Sequence, residues 1–268
     1  MLGKLTKYEF KATCRFFLPL YGALLLLAAM ARLSQWIITY NEIGLLQYFS
    51  NIFTLVYVLV AIAIFALTLI VMIQRFYKNL LGDEGYLMFT LPVKSWQLIT
   101  SKLLTSLVWM AGSVLVLFAS FFILIDVEMP TFREFWQSFI QANQAMLQEI
   151  HTPLWLLLLE LIAVMAAGSA ASVLMIYVSI ALGHTFTQRH RLLASVAAYV
   201  IVSIVLQTAG TILFTFSLNV PFMNWLLSLT PGSALQLGLG TVFAISAVTG
   251  AAFFAITQLL LKRHLNLE

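Results

Sequence analysis

The sequence has few charged side chains and a single cysteine, and each scarcity excludes whole classes of protein. Asp, Glu, Lys and Arg make up 9% of the 268 residues, whereas apolar residues make up 62%. Soluble domains hold about 25% charged residues. So few charges do not cover a soluble surface, which excludes a cytosolic enzyme, a disordered chain and a secreted domain. The lone Cys14 excludes an internal disulfide and a cysteine-based metal site.

Several sequence signatures of catalysis are also missing. The chain has no GxxxxGK[ST] phosphate loop, no HExxH zinc motif and no GxSxG nucleophile turn. Of its four histidines, only His184 and His190 lie close together, and we interpret them as polar residues that face lipid headgroups. We therefore predict that the chain is not itself an enzyme and that it holds no cofactor and no metal.

What the sequence does have is six long apolar runs, and each is long enough to cross a bilayer. The cleanest covers 52–73, and its 22 residues span about 33 Å as a helix. Inside lipid only helices and closed barrels satisfy their backbone polar groups, and such continuous runs are helical. We predict an all-α, polytopic membrane protein. The six predicted spans are 16–38, 52–73, 103–125, 155–182, 192–218 and 235–261.

The basic residues predict how these spans are oriented. With the N-terminus in the cytoplasm, twelve of the fourteen Lys and Arg residues fall on the inner side, which is a strong positive-inside pattern. Both termini are therefore predicted to be cytoplasmic, and because topology explains the basic excess, no nucleic-acid partner is expected. Ala29-Met30-Ala31 resembles a signal-peptide cleavage site, but we favour an uncleaved first span. The inner basic residues are Lys4, Lys7, Lys11, Arg15, Arg75, Lys78, Lys94, Lys102, Arg189, Arg191, Lys262 and Arg263.

We interpret residues 1–268 as a single transmembrane domain with four notable segments outside the spans. Residues 1–15 predict an amphipathic helix that lies in the inner interface and contacts membrane lipid. Residues 74–102 form a long inner loop with aromatic residues and a charged turn, suited to a partner protein or to packing against the chain's own helix ends. Residues 126–152 form an outer segment with a short helix, and 219–233 form a second outer segment that dips into the outer leaflet.

Glu160 is the one acid well inside a predicted span. A carboxylate at the centre of a membrane helix costs about 2.5–3.5 kcal/mol on insertion scales and less near the interface. Two interpretations stay open: Glu160 contacts a cation or substrate in a pathway, or it is a hydrogen-bonded acid near the outer headgroups. Small residues at 166–172 and in the sixth span predict close helix packing.

The arrangement and two local stretches resemble the ABC-2 type permeases, the membrane subunits of ATP-binding-cassette exporters. The first stretch is RFYKNLLGDEGYLMFTLPVKSWQLITSKLL at 75–104, and the second is the opening at 1–15, with Met1-Leu2-Gly3-Lys4-Leu5 followed by Tyr8-Glu9-Phe10-Lys11. The architectural resemblance covers the whole chain, and the local resemblance is sharp only in these two stretches.

The resemblance implies that the chain docks onto a separate cytoplasmic ABC ATPase, which binds ATP and magnesium. A coupling helix at about 75–81 would sit in a groove of that subunit, and residues 1–15 would form the interfacial elbow. A second permease chain, identical or paralogous, would complete the pathway in a bacterial cell membrane. The cargo would be a hydrophobic or amphipathic peptide, drug or lipid. The docking residues would be Arg75, Phe76, Tyr77, Lys78, Leu80, Leu81, Asp83, Glu84 and Tyr86.

A different class of function stays open beside this one. A stand-alone channel or secondary carrier would use Glu160 as its coupling acid. Secondary carriers often show internal repeats and broken helices near the midplane, and the sequence shows neither. A membrane enzyme would need a cluster of polar catalytic residues at one depth, and the sequence has none.

Overall fold

Seven helices of 18 residues or more make up most of the described chain, and no β-strand occurs within it. The computed structural model describes residues 2–40, 44–78, 93–125, 131–186, 190–217, 224–225 and 228–264. The helices are α1 (Leu2–Tyr40), α2 (Gly44–Phe76), α3 (Ser95–Leu124), α4 (Phe132–Glu149), α5 (Leu154–Phe186), α6 (Arg191–Ser217) and α7 (Pro231–His264).

All of these helices except α4 are long and apolar enough to cross a membrane. They contain the six predicted spans except for the last residue of the third and of the fifth, and position 218 lies outside the described residues. The all-α fold and six helices long and apolar enough to span a membrane are therefore confirmed. The candidate spans run from 26 to 36 residues, which exceeds the roughly 20 that a bilayer core requires. The short helix predicted within 126–152 is present as α4.

Helix α1 differs from the predicted arrangement of an interfacial helix followed by a separate span. It is continuous from Leu2 to Tyr40, although Pro19 lies inside it. One buried stripe runs through the predicted junction, because Glu9, Thr13 and Phe17 recur every four residues and all are buried. The basic stripe Lys4, Lys7, Lys11 and Arg15 is exposed along the same helix.

The chain forms two compact units, Met1–Met129 and Pro130–Glu268. In the first unit α1 packs against α2 and α3, and α2 also contacts α3. Leu24, Ala28 and Ile64 are fully buried where these helices meet. Aromatic side chains, including Phe17 and Trp109, extend this core.

In the second unit α5 is central, since it packs against α6 and α7 and also contacts α4. Small residues bring these helices close: an added Cβ atom at Gly250 would lie 3.6 Å from Ala171. The approach is tighter between α5 and α6, where a Cβ atom on Gly183 would overlap the backbone of Ser195. Small residues at such crossings allow membrane helices to pack closely.

Helix α4 begins with a capping box. The backbone N–H of Thr131 donates to Glu134 Oε2 at 2.8 Å, and the Glu134 N–H donates to Thr131 Oγ1 at 3.4 Å. These two bonds satisfy backbone donors that a helix start leaves open. At the other end of α4, Asn143 Oδ1 accepts the backbone N–H of Leu154 at 2.8 Å, which ties α4 to the start of α5.

Candidate functional site

The predicted docking residues fall where α2 ends, and the structure describes four of them. Phe76 is fully buried and Arg75 is partly buried, whereas Tyr77 is half-buried and Lys78 is exposed. In this conformation Phe76 is part of the first unit's interior and not of its surface. The remaining predicted docking residues, Leu80, Leu81, Asp83, Glu84 and Tyr86, lie outside the described residues.

A buried ion cluster, which we define as Glu9, Arg75 and Lys102, joins the three helices of the first unit. Glu9 Oε2 lies 3.0 Å from Arg75 Nη1, and Glu9 Oε1 lies 2.8 Å from Lys102 Nζ. The side chain of Glu9 is 9% exposed and that of Lys102 is 3% exposed, whereas Arg75 keeps 27% of its side-chain surface accessible. One carboxylate on α1 therefore bonds both the last turn of α2 and the second turn of α3.

The ion cluster is costly to bury, and its geometry compensates for that cost. Removing a charged group from water costs several kcal/mol even after the protein relaxes. Each contact is short enough to be a charge-assisted hydrogen bond, which is about twice as strong as a neutral one. Arg75 lies in the last turn of α2 and Lys102 lies seven residues inside α3, so the ion cluster joins the two helices that precede and follow residues 79–92 in the sequence.

An aromatic stack continues inward from the ion cluster. The Trp109 ring stacks on Phe10 and Phe17 of α1, with centroid distances of 4.8 and 4.4 Å. Its Nε1–H donates to Thr13 Oγ1 at 2.7 Å, and Thr13 in turn donates to the Glu9 carbonyl at 2.9 Å. The indole therefore has both an apolar and a polar partner on α1, as buried tryptophans usually do.

Hydroxyl groups join the same helices deeper in the first unit. Tyr21 Oη lies 2.7 Å from Ser113 Oγ, and Ser113 Oγ lies 3.1 Å from Thr68 Oγ1. These three residues belong to α1, α3 and α2 in turn, so one hydrogen-bonded chain crosses all three helices. Farther along, Tyr57 Oη on α2 lies 2.9 Å from Ser120 Oγ on α3. These hydrogen bonds between hydroxyl groups are not predictable from the sequence, because an isolated hydroxyl within an apolar run gives no indication of which residue it contacts.

Glu160 lies on α5, beside a groove between α5 and α7 of the second unit. The groove has a volume of about 190 Å³. Glu160 Oε2 is screened from solvent and accepts no hydrogen bond from the described residues. Two polar residues, Glu160 and Gln236, line the groove. The other lining residues are Leu159, Ala163, Val164, Leu239, Gly240 and Phe243.

A larger cleft of about 570 Å³ lies between α1 and α2 in the first unit. Its lining is mainly uncharged and polar, which the sequence analysis did not single out. Five of its seven lining residues carry amide or hydroxyl groups and two are aliphatic, so none of them selects a ligand by the sign of its charge. The lining residues are Gln35, Gln47, Ser50, Asn51, Thr54, Leu55 and Val58.

No three His, Cys, Asp or Glu residues come together to hold a metal ion in the part of the chain that the structure describes. No protein-family model, curated protein or solved structure matches the chain.

Proposed function

We propose that the chain is the membrane permease subunit of a bacterial ABC exporter, and that ATP is hydrolysed by a separate cytoplasmic subunit. The observation that supports this most directly is the location of the ion cluster. It joins the last turn of α2 to Lys102 on α3, and both cationic residues lie within the stretch at 75–104 that resembles ABC-2 permeases. Six candidate membrane spans agree with such a role.

In this proposal residues near 75–86 form the contact with the ATPase. Lys78 and Tyr77 offer accessible surface at the end of α2, and Leu80, Leu81, Asp83, Glu84 and Tyr86 would extend the docking surface. Arg75 and Phe76 have a different role here: they hold the end of α2 within the unit. ATP and magnesium would bind only in the partner subunit.

The ion cluster gives this contact a mechanical consequence. When the ATPase subunits close on ATP, the coupling segment would move with them. Since Glu9 bonds both flanking helix ends, α1, α2 and α3 would follow that movement together. Packed elements with fixed hydrogen bonds shift as bodies rather than deform continuously.

We also propose how the chain is oriented in the membrane and that it pairs with a second permease chain. Both termini lie in the cytoplasm, because twelve basic residues then face inward. The N-terminal turns of α1 lie against the inner leaflet through their exposed lysines. A second permease chain, identical or paralogous, completes the pathway for a hydrophobic or amphipathic cargo.

Affinity purification of the tagged protein from native membranes, followed by mass spectrometry and an ATPase assay, tests the proposal. We expect a stoichiometric soluble subunit with a phosphate loop and ATP hydrolysis in the purified complex. Tyr77→Asp and Leu80→Asp should each abolish co-purification while the permease stays folded. Phe132→Asp is the matched control, because Phe132 is an aromatic residue on α4 that is 81% exposed. Retention of the ATPase by both variants would contradict this docking site.

The second candidate is a stand-alone channel or secondary carrier that uses Glu160. The observation that favours it is the buried Glu160 Oε2 without a hydrogen bond beside a groove. Acids inside membrane helices are functional by default. Transport by the purified chain in proteoliposomes without ATP would favour this candidate, and Glu160→Gln should then abolish it.

A further inference from the structure

We propose that the groove between α5 and α7 binds the protonated primary amine of a long-chain amphiphile, with Glu160 as its counter-ion. The inference deepens the proposed function, because it names the chemical class of the cargo that the permease would take. Binding itself needs only residues of the second unit. Ligand binding at this site can therefore be tested without any ATPase.

The carboxylate is the first reason for a cationic ligand. Glu160 Oε2 is buried and accepts no hydrogen bond from the described residues. A buried acceptor without a donor destabilises the protein, and a charged acceptor does so more strongly than a neutral one. A ligand that brings both a positive charge and an N–H group removes this cost. An anionic ligand would increase it.

The lining of the groove limits which cation fits. An ammonium group has three N–H donors, and the side-chain oxygen of Gln236 is a second acceptor in the same groove. Quaternary ammonium groups have no N–H to donate, and they bind in cages of several aromatic rings. The groove has one aromatic side chain, Phe243. Its chemistry therefore favours a primary amine over a trimethylammonium group.

The volume of the groove indicates how much of the ligand enters. About 190 Å³ has room for roughly six water-sized groups, at about 30 Å³ each. The ammonium and the first few carbons fill it, and a longer alkyl chain must continue outside. Leu159 and Phe243 line the groove and are 59% and 43% exposed, so they offer apolar surface to that chain. An aminophospholipid fits less well, because its phosphate would lie near the Glu160 carboxylate.

Binding of tritiated dodecylamine to the full chain in phosphatidylcholine nanodiscs tests the inference without any ATPase. We expect saturable binding that dodecanol does not displace. Glu160→Gln should weaken it at least about tenfold, since a hydrogen bond to a charged group contributes about 1.5–3 kcal/mol. Equal displacement by dodecanol, or unchanged binding to Glu160→Gln, would overturn the proposal. Equal displacement by phosphatidylethanolamine would also overturn it, because the occupant would then be a lipid.

A pair of glycine variants tests the location of the site. An added Cβ atom at Gly240 or at Gly238 meets nothing within 4 Å, so the first atom of a new side chain is accommodated at both positions. Only Gly240 lines the groove. We expect Gly240→Val to reduce dodecylamine binding at least about tenfold and Gly238→Val to leave it unchanged. Equal binding by the two variants would overturn the location, even if Glu160→Gln does not fold. Failure of the unmodified chain to co-purify with any ATPase would refute the proposed function and leave this result intact.

Discussion

Replacing Glu9 by glutamine should destabilise the first unit more than removing either of its cationic partners. The carboxylate bonds both Lys102 and Arg75, at 2.8 and 3.0 Å. Breaking a buried ion pair from one side costs about 3–5 kcal/mol. The Lys102 side chain is 3% exposed, so it loses this anion with almost no access to water. We expect Glu9→Gln to lower the free energy of unfolding by about 3 kcal/mol or more.

Removing Lys102 should lower the free energy of unfolding more than removing Arg75, because the Lys102 side chain is more deeply buried. Lys102→Met removes a buried partner but leaves Glu9 bonded to Arg75, so we expect a loss of about 1.5–3 kcal/mol. The Arg75 side chain is 27% exposed, and solvent screens its interaction. Arg75→Gln should therefore cost about 1 kcal/mol or less. The expected order of destabilisation is Glu9, then Lys102, then Arg75.

Unfolding in mixed micelles, by titration of sodium dodecyl sulfate into dodecyl maltoside, measures these free energies. Glu149→Gln is the matched control, because it makes the same chemical change on an exposed residue of α4. It should alter stability by less than about 0.5 kcal/mol. The combined variant Glu9→Gln with Lys102→Met should cost less than the sum of the single changes, since the groups interact directly. A Glu9→Gln effect as small as the control, or strictly additive losses, would refute the reasoning.

Three further predictions concern single contacts. Gly183→Ala should destabilise the chain by about 2 kcal/mol or more in the same titration, because the new methyl group overlaps the backbone of the next helix. The control Gly168→Ala places its methyl group in open space and should be neutral or stabilising. Thr13→Val removes the hydroxyl that accepts the 2.7 Å hydrogen bond from Trp109 and should cost about 1–3 kcal/mol in that titration, because the buried indole N–H loses its acceptor. Thr131→Ala removes the α4 cap, and hydrogen exchange in the first turn should accelerate about fivefold, as about 1 kcal/mol implies.

The six spans were predictable from sequence because they depend on a local property. Each apolar run is longer than a bilayer core requires, and its hydropathy needs no knowledge of neighbours. The capping box of α4 is equally local, since Thr131 and Glu134 are three residues apart. Glu160 was singled out for the same reason, as a charge inside an apolar run. Its groove partner Gln236 was not, because it lies on a different helix.

The ion cluster was not predictable, although each of its residues was noticed. From the sequence, Arg75 is predicted as an inner-side charge and a docking residue, Lys102 as an inner-side charge, and Glu9 only as part of the N-terminal stretch that resembles ABC-2 permeases. Their contacts join residues 66 and 93 positions apart, and no periodicity relates such distances. One signal did exist: Glu9 and Thr13 are polar, yet they share the four-residue spacing of Phe17. That spacing places a carboxylate on a buried helix face, where a cationic partner is required.

The two units fix the register of their helices in different ways, and this has a mechanical consequence. In the first unit, buried polar pairs such as Tyr21 with Ser113 and Tyr57 with Ser120 join helices at matched heights. Sliding one helix by a single turn would separate the members of every such pair and leave buried polar groups without their bonds. In the second unit, small residues such as Gly250 and Ala171 let α5 and α7 pack closely, and one long hydroxyl bond, from Ser195 Oγ to the Ile180 carbonyl at 3.5 Å, joins α6 to α5. In the proposed function, these hydrogen bonds would make α1, α2 and α3 of the first unit move together.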